Sequence, residues 1–130
     1  MRYPLGEFEK DSIRSKSGKR LDDITLQEVL NGNITAEDIK ISKDTLMKQG
    51  QVCIEDDNPV MAESMKRAAE LVDVPDEVIL SMYNKLRPNR STKRELVMMA
   101  QELLEKYKAP LCAKMVLEAA EIYEKRGILL

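Results

Sequence analysis

Histidine and tryptophan are both absent from this chain of 130 residues. The lack of histidine removes the commonest metal ligand and the usual general base near neutral pH, together with every Ser–His or Cys–His nucleophile pair. The chain also lacks a glycine-rich phosphate loop, a nucleophile elbow and paired ligands at metal spacing. We therefore predict no catalytic residue, no metal site and no cofactor-binding residue in this chain.

Cysteine and long apolar runs are also scarce. The two cysteines, Cys53 and Cys112, are not arranged as Cys-x-x-Cys, and no stretch of 18 apolar residues or apolar leader is present. A reduced, cytoplasmic protein without a membrane span fits this pattern best. We expect both thiols to be small buried apolar groups.

An excess of charge of either sign is absent too, since 21 basic and 23 acidic residues give a net charge of −2. This balance argues against a dedicated nucleic-acid or membrane-surface binder. The one dense basic patch is KLRPNRSTKR, residues 85–94. A helix-turn-helix protein would use such a patch on DNA, but we favour a polar loop between helices or a docking edge for an acidic partner.

Helix signals recur from residue 23 to the end, and no segment alternates as a strand does, so we predict an all-α fold for a helical domain at 23–130. Capping residues and helix-initial prolines mark the starts. Met61, Met65, Ala68 and Val72 repeat at helical spacing and predict one apolar stripe. The helix starts are predicted at Thr25, Thr35, Ser42, Asn58, Pro75, Thr92 and Pro110.

Residues 1–22 lack sustained periodicity and are predicted to form an extended N-terminal arm. Tyr3 and Phe8 are two of only five aromatic residues in the chain. A solvated tail does not need such side chains, whereas an arm that lies on another surface uses them as anchors. That surface is either a partner or the chain's own domain, and we assign Tyr3 and Phe8 to a partner interface.

Longer matches give the chain a family resemblance. The stretch from Lys66 to Leu96 resembles the small (gamma) subunit of adenosylcobalamin-dependent diol and glycerol dehydratases. LDDITLQEVLNG and ITAEDIKIS upstream and AAEIYEKR downstream resemble the same family in the same order. Within the central stretch the matching elements are RAAEL (67–71), VPDE (74–77), YNKLRP (83–88) and RSTK (90–93).

The resemblance implies a subunit of a heteromeric lyase, with two copies each of a large, a medium and a small chain. In that family the large subunit is a barrel that holds the substrate, and adenosylcobalamin lies between the large and medium subunits. The reaction dehydrates glycerol or 1,2-propanediol to an aldehyde by radical chemistry. The small chain is helical and packs on the large one, so no autonomous activity is expected here.

The same resemblance gives the basic patch a role, since Arg87, Arg90 and Lys93 would position helices or contact the large subunit. Tyr83, in the YNKLRP element, joins them as an interface candidate. The long N-terminal extension that some relatives use for packaging in a microcompartment is missing, so we expect any packaging to depend on partner subunits. The alternative function is a free-standing helical adaptor or regulator that docks one partner through the loop that carries this basic patch.

Overall fold

The computed structural model describes residues 1–130 and is helical, with two isolated β-bridges and no strand, which confirms the all-α prediction. Contacts divide the chain into two compact units, Met1–Val72 (unit 1) and Asp73–Leu130 (unit 2). Unit 2 contains α5 (Asp76–Lys85), α6 (Lys93–Glu105) and α7 (Pro110–Arg126). Unit 1 contains α1 (Leu5–Phe8), α2 (Leu26–Leu30), α3 (Lys43–Glu55), α4 (Pro59–Leu71) and the 3-10 helices η1 (Leu21–Asp23) and η2 (Ala36–Ile39).

Local capping explains where the longer helices begin. The side chains of Ser42 and Asn58 accept hydrogen bonds from backbone N–H groups three residues ahead, at 3.1 and 3.2 Å. Thr92 and Glu95 form the predicted capping box. α7 ends at Gly127, whose φ of 68° lies in the left-handed region that glycine adopts most easily. These boundaries confirm the predictions made from sequence.

In unit 1, α3 packs on α4 through small residues. The predicted stripe is wrong in register, because Ala62 and Ala69 are the buried residues of α4, while Met61 is exposed and Met65 is half-buried. Gly50 of α3 lies against this face, since a Cβ atom built there would be 3.6 Å from both the Ala62 carbonyl oxygen and the Met65 Cβ atom. The face of α4 that contacts α3 is therefore centred on Ala62, Met65 and Ala69, one position away from the predicted Met61 and Ala68.

In unit 2, α6 packs on α7 around a closed apolar core. α6 contributes Leu96, Met99, Ala100 and Leu103, and α7 contributes Cys112, Ala113, Val116 and Ala120. α5 contributes no buried residue. The prediction of two buried cysteines is half correct, because Cys112 is buried whereas Cys53 of α3 is only half-buried. Its outer position on α3 leaves that thiol partly in contact with solvent.

The division of the chain into an arm at 1–22 and a helical domain at 23–130 stays a prediction. The arm includes a one-turn helix, α1, that sequence analysis did not predict. Its Leu5 is only 7% exposed, so part of the arm packs within unit 1.

Candidate subunit interface

The basic loop, residues 86–92, joins α5 to α6 and is held by hydrogen bonds at several points. The Ser91 hydroxyl donates to the Lys85 carbonyl at 2.8 Å, and Ser91 is buried. Asn89 has a φ of 61°, the left-handed conformation that asparagine tolerates better than most residues. The loop is consequently a fixed turn and not a flexible connection.

The end of α7 and the residues after it also hold the basic loop. The Tyr123 hydroxyl donates to the Leu86 carbonyl at 2.7 Å. The Asn89 N–H donates to the Ile128 carbonyl at 2.8 Å, and the Leu130 N–H donates to the Ser91 carbonyl at 2.9 Å. Nothing in the sequence indicated that the Tyr123 hydroxyl positions this loop.

The charged residues of the basic loop and of the start of α6 have different environments. Arg87 and Arg90 are exposed, and neither side chain has a hydrogen-bond or ion-pair partner in the chain. Lys93, in contrast, pairs with Glu124 of α7 at 3.1 Å. Two guanidinium groups on a rigid turn are well suited to bidentate contacts with carboxylates of another chain, whereas Lys93 already helps to join α6 to α7.

The aromatic candidates are exposed. Tyr3 is 72% exposed and Tyr83 is 65% exposed, and Phe8 is exposed beside the guanidinium of Arg2, which lies 4.0 Å from its ring centre. Large exposed aromatic side chains are the residues that most often anchor protein interfaces. Their exposure leaves them available to a partner, and the interface role stays a prediction.

The arm is fastened to unit 1 by polar contacts as well as by Leu5. The Lys48 ammonium donates to the Ser12 carbonyl and hydroxyl, and the Thr45 hydroxyl donates to the Arg14 carbonyl at 3.3 Å. The Lys16 ammonium donates to the Val72 carbonyl at 2.8 Å. The arm thus packs on its own unit while it leaves its aromatic side chains exposed.

Two carboxyl groups of unit 1 have lowered pKa values. The backbone N–H of Thr35 and the hydroxyl of Ser17 donate to Asp38, and these bonds lower its pKa because they favour the charged form. A hydrogen bond from the amino group of Met1, at 2.6 Å, lowers the pKa of Glu55. Both carboxylates bind a residue of the N-terminal arm, so Asp38 links the arm to η2 and Glu55 links it to α3.

The structure places the six predicted interface residues in both units. Tyr3 and Phe8 belong to unit 1, and Tyr83, Arg87, Arg90 and Lys93 to unit 2. No group of three or more His, Cys, Asp or Glu side chains is arranged to hold a metal ion. None of the helices is long and apolar enough to cross a bilayer. The chain is thus helical and carries exposed aromatic side chains and two unpaired guanidinium groups, features that are common in chains that contact other chains.

Comparison with known proteins identifies the family. A family profile described as "Dehydratase small subunit" matches residues 1–130. The propanediol dehydratase small subunits of Citrobacter freundii and of Salmonella typhimurium (strain LT2) are each 42% identical to the chain over 124 residues, which make up 95% of this chain and 72% of each relative. The chain belongs to the dehydratase small-subunit family, which confirms the resemblance drawn from the sequence.

Proposed function

We propose that this chain is the non-catalytic small subunit of a coenzyme B12-dependent diol or glycerol dehydratase, a hydro-lyase complex. The observation that carries the proposal is the 42% identity over 95% of the chain to two propanediol dehydratase small subunits. A match over 95% of the chain covers surface residues as well as core residues, and it therefore supports the same role in an assembly.

The role we assign to the chain is to cover and stabilise the large subunit. Its exposed apolar side chains support this role, because burial of apolar surface drives most protein association. The unpaired guanidinium groups of Arg87 and Arg90 add donors for acidic or carbonyl groups on the partner. We keep Tyr3, Phe8, Tyr83 and Lys93 as further contacts, with Lys93 acting through α7.

We place adenosylcobalamin and the substrate on the partner subunits, as the family resemblance implies. The residues of this chain do not fit the cofactor, since its depressions are open to solvent and are lined mainly by methionine, aliphatic and carboxylate side chains. We therefore assign no step of the reaction to this chain. The assembly we propose has two copies each of large, medium and small subunits and is cytoplasmic, or enclosed in a microcompartment through partner subunits.

A free-standing adaptor that uses the same basic loop is not favoured, because the family match covers the whole chain. Both hypotheses use the basic loop as a contact surface, and they differ only in the partner that the loop binds. The experiment must therefore identify the partner and not merely detect binding.

Coexpression with the products of the adjacent genes tests the proposal. A tag on this chain should copurify a large and a medium subunit, and the complex should dehydrate glycerol or 1,2-propanediol when adenosylcobalamin is added. The isolated chain, as the control, should show no turnover. Failure to copurify any enzyme-sized subunit, or turnover by the isolated chain, would contradict the proposal.

A further inference from the structure

A groove between α5 and α6 of unit 2 lies outside the interface described so far. It is open to solvent and has a volume of about 510 Å³. Met99 is buried at its base, Val78 and Met82 are half-buried along it, and Met98 is 58% exposed. Methionine side chains are unbranched and flexible, so such a groove adapts to an inserted apolar surface.

Charge distinguishes this groove from an ordinary gap between helices. Glu77 of α5 and Glu102 of α6 both line it, and neither carboxylate has a hydrogen-bond or ion-pair partner in the chain. A third carboxylate, that of Glu95, lines the groove while it caps α6 through Thr92. Lys85 is the one cation in the lining. The groove thus has an apolar base and sides with three carboxylates against one cation.

We propose that the α5–α6 groove receives an amphipathic helix of a larger dehydratase subunit, with an apolar ridge and with Lys or Arg along its edges. The inference rests on the proposed function and adds to it a surface and the chemistry of its occupant. Apolar grooves between helices commonly bind the apolar face of a further helix. The basic edges follow from Glu77 and Glu102, which would otherwise stand unpaired beside a desolvated contact.

A second copy of this chain is a poorer occupant. A two-fold contact through the groove would bring the same surface of each copy together. Each of the two facing surfaces would then carry Glu77, Glu95 and Glu102, with Lys85 as its one positive charge. Like charges placed against each other disfavour association.

The state of α5 supports the same conclusion. The helix has apolar residues at helical spacing, yet none of them is buried within unit 2. Most of the stability of a short helix in a protein comes from packing of its apolar face. α5 therefore lacks the packing that α6 and α7 have, and a helix in the groove would supply it.

A photo-crosslinking experiment in the assembled complex tests the occupant. Ser81 is exposed and lines the groove, so a benzoylphenylalanine introduced there should react with whatever lies in it. We expect a crosslink to one peptide of a larger subunit whose sequence is amphipathic at helical spacing with Lys or Arg at its edges. A crosslink to a second copy of this chain, to an acidic or non-helical peptide, or to no protein would overturn the inference.

Charge reversal gives a second, independent measurement in the complex. The double substitution Glu77→Lys and Glu102→Lys should raise the dissociation constant of this subunit by about tenfold or more, because like charges would then meet. The matched control is Glu118→Lys with Glu121→Lys, two exposed and unpaired carboxylates of α7, which should change it less than about twofold. Circular dichroism verifies that both variants fold.

The outcomes separate the inference from the proposed function. If the unmodified chain fails to join a larger subunit, the proposed function falls and the inference with it. If the unmodified chain assembles and the groove variant assembles as tightly as the control, only the inference is overturned. Weaker assembly of the groove variant alone, partly dependent on ionic strength, supports it.

Discussion

Unit 1 and unit 2 differ in how much apolar surface each buries by itself. Unit 1 is the longer of the two, yet it buries five apolar residues, whereas unit 2 buries ten. Those of unit 1 are Leu5, Ile34, Leu46, Ala62 and Ala69. Since apolar burial is the main stabilising contribution to folding, unit 2 is expected to hold its fold alone, and unit 1 is expected to gain more from a partner.

Helix length explains part of this difference, since α3 and α4 are as long as α6 yet bury fewer apolar side chains. α2 has five residues and η2 has four, so neither can present a long apolar stripe, and neither contributes a buried residue. Leu26 of α2 is 76% exposed. α6 and α7 have 13 and 17 residues and bury four residues each. We therefore expect a partner to cover α2 and η2, and also α5 of unit 2, which contributes no buried residue either.

The largest effect is expected in the core of unit 2. Leu96 is fully buried, so Leu96→Ala should lower the free energy of unfolding of the free chain by about 2–5 kcal/mol, through lost burial and a residual cavity. Leu26→Ala, the control in unit 1, should change it by less than about 0.5 kcal/mol because Leu26 is already exposed. Urea unfolding followed by circular dichroism measures both. Equal losses would mean that the two units do not differ as described.

The basic loop should control assembly. Arg87→Ala with Arg90→Ala should weaken the complex by about 2–5 kcal/mol if the pair is desolvated against a partner. Lys114→Ala, the control, removes an exposed cation of α7 outside the candidate interface and should cost less than about 0.5 kcal/mol. Dissociation on dilution at fixed salt measures this, and turnover should fall only as assembly falls. Loss of activity in a fully assembled variant would instead give the loop a place near the reaction.

Substitutions in the arm are expected to have a smaller effect on assembly, and they distinguish contact with a partner from packing within unit 1. Tyr3→Ala with Phe8→Ala should weaken assembly by about 1–2 kcal/mol, since both aromatics are exposed in the free chain and available to a partner. Helix content should be unchanged because Leu5 stays in place. Leu5→Ala is the contrasting variant and should destabilise unit 1 itself. Gel filtration and circular dichroism distinguish these results, and a loss of helicity in the aromatic variant would argue against the interface role.

Gly50 provides a small test with the opposite sign. A Cβ atom there would make ordinary contacts at 3.6 Å, so Gly50→Ala should stabilise unit 1 by about 0.5–1 kcal/mol by favouring the helix. Gly18→Ala, the control, places alanine at a φ of 92° and should destabilise. Thermal unfolding compares the two variants. Destabilisation by Gly50→Ala would contradict this prediction and would show that the packing of α3 on α4 leaves no room for a methyl group.

Acid is expected to lower the stability of unit 1 because Asp38 becomes protonated. Its folded pKa lies below the ordinary value of 3.8, so its contribution to stability is present above that value and is lost as pH falls through the lowered pKa. Asp38→Ala should therefore lower stability near neutral pH, where the carboxylate accepts these hydrogen bonds, and should reduce the acid dependence of η2 and the arm. Amide chemical shifts of Thr35 and Ser17 across an acid titration measure this. Identical titrations in the variant would exclude the role.

Sequence analysis predicted the elements well where the signal was local. Ser42, Asn58 and the Thr92–Glu95 box mark helix starts because a cap involves only the first turn. The apolar stripe of α4 was predicted correctly at Met65, but the shift of the buried face from Met61 and Ala68 to Ala62 and Ala69 depends on tertiary packing that periodicity does not contain. The one-turn helix α1 escaped prediction for the related reason that its stability depends on packing of Leu5.

The candidate site was predicted in part. The density of cations revealed the basic loop, but the sequence could not separate the free Arg87 and Arg90 from the paired Lys93. The partner of Lys93, Glu124, is distant along the chain, as is Tyr123, whose hydroxyl holds the loop. Composition alone gave no function, and only the long matching stretches identified the family.

Hydrogen exchange of the free chain and of the purified complex tests the central claim most directly. The account predicts strong protection of α6 and α7 in both states, and protection of α2, η2 and α5 that rises markedly only on assembly. The same pattern should appear as a higher unfolding temperature for unit 1 in the complex. Equal protection of α2 and η2 in the free chain and in the complex would contradict the claim that a partner completes unit 1.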